Sequence, residues 1–317
     1  MTSTILVTGA HGFIGQYVCK SLTLQQYSIR PVVRRATGLS TNETIVSDIN
    51  GASDWSDCLD GVDAVIHLAA RVHIRRETAP NPFSAFRSVN TEGTLHLARA
   101  AANAGVKRFI FVSTLAVHGR TSPMETPFTE TSPIAPHTAY GQSKWEAEQN
   151  LWEVAESTGL QVVIVRPPLV YGWGAPGNFG QLVRWIGRGV PLPLGRTSNL
   201  RSLLFVKNLA DFLVCCVSVP QAADETFLLS DGEDLSTTDL LRRLARAMGV
   251  APILVPVPER VIRPFIRLIG KERLLDQLWG SLRVDSSKAR QKLKWQPPFS
   301  VDEGLKQSLS QPLNRSA

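Results

Sequence analysis

Thr4-Ile-Leu-Val-Thr8 is a short apolar, β-branched run that stops at Gly9-Ala-His-Gly12-Phe-Ile-Gly15, after which a helical pattern continues to Leu24. Strand, glycine turn and helix in direct succession restrict the fold more than any other stretch of the chain. Glycines permit a turn too tight for side chains, and they leave the first N–H groups of the helix facing whatever lies over the strand end. The helix dipole favours an anion there, and a pyrophosphate fits such a turn. The spacing is G-x-x-G-x-x-G, not the G-x-G-x-x-G of many dinucleotide sites, so a purely structural turn is the competing reading.

The alternation then repeats. A second strand, Ser28-Ile-Arg-Pro-Val-Val33, ends in Arg34-Arg35, and a third, Thr44-Ile-Val-Ser47, ends in Asp48-Ile49. Ala64-Val-Ile-His-Leu-Ala-Ala70 is the fourth, Arg108-Phe-Ile-Phe-Val-Ser113 the fifth and Val162-Val-Ile-Val-Arg-Pro167 the sixth, with helices at 91–104 and 139–157 between them. Apolar strands alternating with helices predict a parallel sheet covered on both faces, an α/β fold of the Rossmann-type, doubly wound kind. After Pro167 the texture becomes glycine- and proline-rich. We expect residues 1–171 plus 203–232 to form the dinucleotide-binding domain. Residues 172–202 plus 233–317 would form a smaller C-terminal substrate lobe over the carboxyl edge of the sheet, where such sheets bind ligands.

The expected cofactor contacts follow from this layout. Gly9, His11, Gly12, Phe13 and Ile14 form the pyrophosphate turn, Asp48 and Ile49 meet an adenine edge, and Leu68, Ala69, Ala70 and Pro167 line the strand ends. An acid near the end of the second strand would bind the ribose hydroxyls of NAD(H), whereas an arginine suits a 2′-phosphate. Arg34 stands there with no acid beside it, so NADP(H) is favoured and NAD(H) remains possible.

A hydrophobic content of 43% and a formal charge of +7 describe a chain able to bury a sizeable core and suited to an anionic ligand. No basic run with interleaved aromatics and no zinc-finger spacing points to nucleic acid. Cys19, Cys58, Cys215 and Cys216 lack metal-ligand spacing and read as reduced thiols. No targeting segment and no stretch of ~20 apolar residues is apparent, so no integral membrane segment and a cytoplasmic location are expected. Residues 259–279 carry Ile262, Phe265, Ile266 and Ile269 on one helical face, with Arg260, Arg263 and Arg267 largely off it. Such a helix can dock on an anionic membrane, but an apolar side buried in the lobe is the favoured reading, and Pro264 argues against an undisturbed surface helix.

Tyr140 and Lys144 lie four residues apart in Thr138-Ala-Tyr-Gly-Gln-Ser-Lys-Trp-Glu, so phenol and amine share a helical face. A fixed ammonium would lower the phenol below its usual value near ~10, giving a proton donor and acceptor usable near neutrality.

Taken in order, Gly9-x-x-Gly12-x-x-Gly15, His67-Leu-Ala-Ala70, Tyr140-x-x-x-Lys144 and Arg166-Pro-Pro-Leu-Val-Tyr-Gly172 resemble the extended short-chain dehydrogenase/reductases of the nucleotide-sugar type. The resemblance covers nearly the whole chain. It implies a catalytic set of Thr114, Tyr140 and Lys144, with Lys144 also holding the nicotinamide ribose and Asn90 ordering the region. It further implies a UDP-sugar substrate met by Thr114, Tyr140, Asn178, Arg201 and either Arg273 or Arg283, and a homodimer. His118 stands where the family usually has tyrosine, and Ser202 where it has an acid. We read His118 as a structural histidine.

The run from His67 to His73, with Leu228-Leu-Ser-Asp-Gly-Glu233, also resembles bacterial surface-polysaccharide (O-antigen) enzymes. With Arg34 this favours NADPH-dependent reduction of a UDP-2-acetamido-2,6-dideoxy-4-keto-hexose to UDP-N-acetylquinovosamine. An NAD-dependent UDP-hexose 4-epimerase is the alternative, and a non-catalytic dinucleotide sensor a remote one. A dehydratase fits poorly, because Leu115-Ala116 follows Thr114 where those enzymes carry Asp-Glu.

Overall fold

The computed structural model describes residues 2–36, 43–72, 81–268 and 272–310. The chain runs β1 (Thr4–Thr8), α1 (Phe13–Leu24), β2 (Ser28–Val33), β3 (Thr44–Ile45), α2 (Ser56–Leu59) and β4 (Ala64–His67). Next come α3 (Pro82–Arg87), a π-helical turn (Ser88–Glu92) and α4 (Gly93–Asn103). β5 (Arg108–Val112), α5 (Ala139–Thr158), β6 (Gln161–Arg166) and β7 (Leu169–Tyr171) follow. The remainder comprises α6 (Asn178–Gly187), β8 (Arg201–Phe205), α7 (Val206–Ser218), β9 (Glu225–Leu228), β10 (Asp234–Leu235), α8 (Thr237–Ala247), α9 (Glu259–Leu268), α10 (Glu272–Trp279), α11 (Ser287–Leu293) and α12 (Val301–Leu309).

Among the described residues a seven-stranded sheet has the order β3-β2-β1-β4-β5-β6-β9, and every neighbouring pair is parallel. This is the expected Rossmann-like doubly wound fold. Successive strand residues point to opposite faces, which is why the strands are apolar throughout. Ile5, Val7, Ile66, Ile110 and Val163 join Val18, Leu209 and Phe212 on one face. Leu6, Val65, Phe109, Val162 and Ile164 join Leu97, Ala147 and Leu151 on the other. A third cluster, from Tyr171 and Phe205 to Leu241 and Leu305, fills the space around a small sheet of order β10-β8-β7. β7, on the dinucleotide side of the expected division, pairs with β8, which straddles that division at residues 202 and 203, and β8 pairs in turn with β10 from the lobe side.

Three elements depart from the expectation. β3 ends at Ile45, although Val46 N–H still donates to the Val33 carbonyl. β4 ends at His67, because the N–H groups of Leu68 and Ala69 donate to the Thr8 hydroxyl instead of continuing the ladder. The apolar side of α9 is not buried as favoured. Ile262 and Ile266 are only half-buried, and no described side chain of that helix is buried. The side chain of Phe265, and Ile269 and His73 altogether, lie outside the described residues. No described helix is long and apolar enough to cross a membrane.

The glycine turn is sterically obligatory. A Cβ on Gly15 would sit 2.2 Å from the Gly9 carbonyl oxygen and 2.6 Å from that of Ala10, both rigid backbone. Gly15→Ala should therefore cost about 1–3 kcal/mol of stability, seen as a lower urea midpoint; an unchanged midpoint would contradict this packing.

Candidate active site

α5 begins where the Thr138 side chain accepts the Gly141 N–H and ends at Gly159, whose φ of +77° only glycine adopts cheaply. Between these caps Tyr140, Lys144 and Glu148 recur every four residues along one face, which turns toward the carboxyl ends of β5 and β6. Thr114 follows β5 in extended conformation, caps a short 3₁₀ turn by accepting the Ala116 N–H, and hydrogen-bonds the Tyr140 phenol. The Leu115 N–H donates to the Pro167 carbonyl at 2.9 Å, tying this turn to the end of β6. The structure therefore brings Thr114, Tyr140, Lys144 and Pro167 together.

The electrostatics differ from the sequence expectation. Burial pushes the half-buried Tyr140 phenol up to about 12, and the Thr114 hydrogen bond offsets this only in part. Lys144 does not lower it as expected. Its Nζ donates to the Val112 carbonyl at 2.8 Å and lies 4.1 Å from the Phe111 ring centroid. Burial brings that amine down to about 7, opposed by the Glu148 carboxylate. A phenol left in this state is a proton donor at neutral pH and a poor acceptor.

Glu148 was not singled out in the sequence. It is fully buried, accepts the Ser113 hydroxyl, and receives Arg166 Nε on both oxygens at 3.1 Å. Arg166 Nη1 donates to His118 Nε2 at 3.0 Å, so the proton of His118 belongs on Nδ1, which faces the Pro133 carbonyl at 3.2 Å. Burial and the guanidinium hold His118 down at about 4. Both ring nitrogens are thus engaged in a neutral, structural imidazole. Only the i, i+4, i+8 recurrence from Tyr140 hinted at Glu148; nothing local pairs it with an arginine on another element.

A second network braces the cofactor side. Thr8 Oγ1 accepts two backbone N–H groups, so its own proton goes to His67 Nδ1 at 2.7 Å. His67 Nε2 then donates to Thr94 Oγ1 at 3.0 Å, whose proton goes to the Asn90 carbonyl. Burial, with the Lys144 charge nearby, lowers His67 to about 3, consistent with this neutral tautomer. Asn90 lies in the π-helical turn, accepts the Arg71 N–H and donates to the Arg71 carbonyl and to Ser143 Oγ. It thereby clamps the segment holding Leu68, Ala69 and Ala70 to α5.

The glycine turn fits a dinucleotide pyrophosphate. Gly9 has φ +67°, and a Cβ there would meet the Ala69 nitrogen at 2.9 Å. Gly12 starts α1 with no side-chain cap and no acid in the first turn, so the N–H groups of Phe13 and Ile14 are left for an anion. His11 Nε2 lies 3.3 Å from Glu43, a nearly buried acid, and His11 Nδ1 is buried with no hydrogen-bond partner. Glu43 is a second group that sequence reading missed, because it follows the end of β2 at a distance. Arg34 is exposed at that end. Asp48 is exposed, with its carbonyl accepting Ser53 Oγ, and Ile49 packs at Gly93.

The expected substrate arginines Arg201 and Arg283 are engaged by the protein's own acceptors. Arg201 Nη1 donates to the carbonyls of Asp276 and Gly280, and Arg283 pairs with Asp234 at 2.7 Å while donating to the Met124 carbonyl. Asp276, Gly280 and Met124 line a cavity of about 500 Å³ together with Arg120, Arg263 and Trp279. Asn178 opens α6, but its side chain, like that of Arg273, lies outside what the structure describes.

Two outcomes follow from the buried charges. Glu148→Gln leaves Arg166 without its counter-charge and should cost about 3–5 kcal/mol, read as a lower denaturation midpoint; a loss under 1 kcal/mol would deny the pair this role. Lys144 has a folded pKa below its unfolded value, so the unfolded chain binds the extra proton between pH 7 and 10.5. Stability of the wild type relative to Lys144→Met should accordingly rise with pH across that window by up to roughly 1.4 kcal/mol per unit, and be flat below it. Parallel urea titrations would reveal this, and equal slopes would refute it.

Comparison with known proteins places the chain in a family. Residues 5–229 match the model of the NAD dependent epimerase/dehydratase family. The UDP-glucose 4-epimerase of Vibrio cholerae is 41% identical over 311 residues, covering 97% of this chain and 95% of that protein. An N-acetyl-α-D-glucosaminyl-diphospho-ditrans,octacis-undecaprenol 4-epimerase of Escherichia coli O157:H7 is 24% identical, covering 98% and 95%. The crystal structure of UDP-glucuronic acid 4-epimerase from Bacillus cereus in complex with NAD shares the fold, with a TM-score of 0.78 at 22% identity over 96% of this chain and 97% of that one. The chain belongs to the NAD dependent epimerase/dehydratase family and is one of its enzymes.

Proposed function

We propose that the protein is an NAD-dependent UDP-hexose 4-epimerase. The observation that carries this reading is the 41% identity, along 97% of the chain, to the V. cholerae UDP-glucose 4-epimerase. The reading displaces the 4-ketoreductase favoured from the sequence, which the comparisons back less well. When bound, NAD supplies reversible hydride acceptance at carbon 4 of the hexose. Tyr140 exchanges the proton of the 4-hydroxyl, Thr114 holds that oxygen, and Lys144 keeps positive charge at the end of β5. Gly9, His11, Gly12, Phe13 and Ile14 would hold the pyrophosphate, with Asp48, Ile49, Leu68, Ala69, Ala70 and Pro167 along the rest of the cofactor. Glu43 supplies the acid that β2 lacks and supports NAD, where Arg34 alone suited a 2′-phosphate. Asn178, Arg201 and Arg283 or Arg273 would meet the UDP diphosphate from the lobe of residues 172–202 plus 233–317, in a cytoplasmic homodimer.

The second reading remains NADPH-dependent reduction of a UDP-4-keto-6-deoxy-N-acetylhexosamine, and exposed Arg34 is what favours it. The two separate in one assay. Purified protein given UDP-galactose should yield UDP-glucose by NMR without consuming reductant. Tyr140→Phe should lower the rate by about two to four powers of ten while NAD binding persists. Absence of interconversion, together with oxidation of NADPH by the keto-sugar nucleotide, would overturn the epimerase reading in favour of the second.

A further inference from the structure

We propose that α9 and the segment just before it form a docking face for an anionic membrane surface. This inference does not depend on the reaction assigned above. α9 carries three parallel stripes at one-residue offsets, each 100° round the helix from the last. Ile262 and Ile266 are the inner stripe and are half-buried. Val261, Pro264 and Leu268, spaced i, i+3 and i+7, are exposed, Val261 by 50% and Leu268 by 86%. Arg260, Arg263 and Arg267 repeat the same spacing one residue earlier, and all three are exposed.

The segment before the helix is also apolar and exposed. Ile253 and Val255 lie on either side of Leu254, which bridges to Leu192; Leu254 is half-buried, whereas Ile253 is 51% and Val255 42% exposed. With Val250, five of the exposed large hydrophobic residues fall within residues 250–268. Single exposed hydrophobics are ordinary, but this density in one short stretch marks an interaction surface. An exposed apolar stripe flanked by arginines is the pattern of a helix lying in the headgroup region of a bilayer.

Charge selects the occupant. A second copy packed antiparallel on this face would set arginine stripe against arginine stripe, whereas anionic headgroups complement it. Glu259 pairs with Arg263 one turn away, but an exposed pair of this kind is weak and yields to lipid phosphate. Arg263 and Arg267 also line the cavity beside Arg201 and Asp276, so docking would bring that cavity close to the lipid surface.

Flotation of the full-length protein with unilamellar vesicles tests this. Vesicles of mixed phosphatidylglycerol and phosphatidylcholine should carry the protein, and pure phosphatidylcholine should not. High salt should weaken binding, since surface charges are screened. Arg260→Gln should weaken it about fivefold, and the Val261→Glu/Leu268→Glu pair should abolish it, with the thermal midpoint and enzymatic rate of each variant retained. Indifference to lipid charge, failure to bind either vesicle, or undiminished binding by the double variant would overturn the proposal. So would self-association that the double variant abolishes, since a second copy would then be the occupant.

Discussion

The buried ion pair between Glu148 and Arg166 is the interaction on which the catalytic face depends. It joins α5 to the last residue of β6, and each partner reaches one element further. Glu148 takes the Ser113 hydroxyl beyond β5, and Arg166 takes His118 in the loop after Thr114. Burying two charges is expensive, and a well-packed apolar pair of equal volume is often as stable. Its consequence here is geometric and electrostatic. The pair holds α5 in one register against the sheet, so that Tyr140 meets Thr114. It also keeps negative charge one helical turn beyond Lys144, without which burial would leave that amine still less basic. His118 is neutral for the same reason, since a proton on Nε2 would face the guanidinium.

The Thr8–His67–Thr94–Asn90 chain performs the matching task on the other side. Its hydrogen-bond directions are forced from one end, because Thr8 Oγ1 already accepts two N–H groups. Each later donor therefore has a single consistent choice, and the chain ends in Asn90 gripping the backbone of Arg71. Strand β4 is cut short by this, and the freed segment from Leu68 to Ala70 is aligned beside the glycine turn. The π-helical turn that holds Asn90 is the local irregularity that aims its side chain inward, a common use of such turns at functional sites.

The parts of this design that were legible in sequence are those with a local signature. The glycine turn, the apolar strands and the Tyr140–Lys144 spacing are read within a dozen residues, and all reappear. What escaped is long-range. Glu148 and Arg166 are separated by a helix end and a strand, and Glu43 reaches His11 from beyond β2. The charge state of Tyr140 escaped for a subtler reason. Helical spacing states which side chains share a face but not what each tip touches. Lys144 spends its amine on the Val112 carbonyl, and burial then dominates the phenol. For α9, periodicity found the apolar stripe of Ile262 and Ile266 but could not tell that Val261 and Leu268 beside it are left in solvent.

The high phenol pKa bears differently on the two candidate reactions. Reduction needs Tyr140 only as an acid, and a protonated phenol serves that directly. Epimerisation begins with loss of a proton from the sugar hydroxyl, so Tyr140 must first become a base. A phenol near 12 resists that unless positive charge accumulates beside it. Lys144 is the nearby group of the chain able to hold such charge, and at about 7 it is poised between forms. Glu148 biases it toward the ammonium. Under the epimerase reading, the base form of Tyr140 therefore needs positive charge that the Lys144 amine, held on the Val112 carbonyl, does not bring to bear on the phenol in this structure.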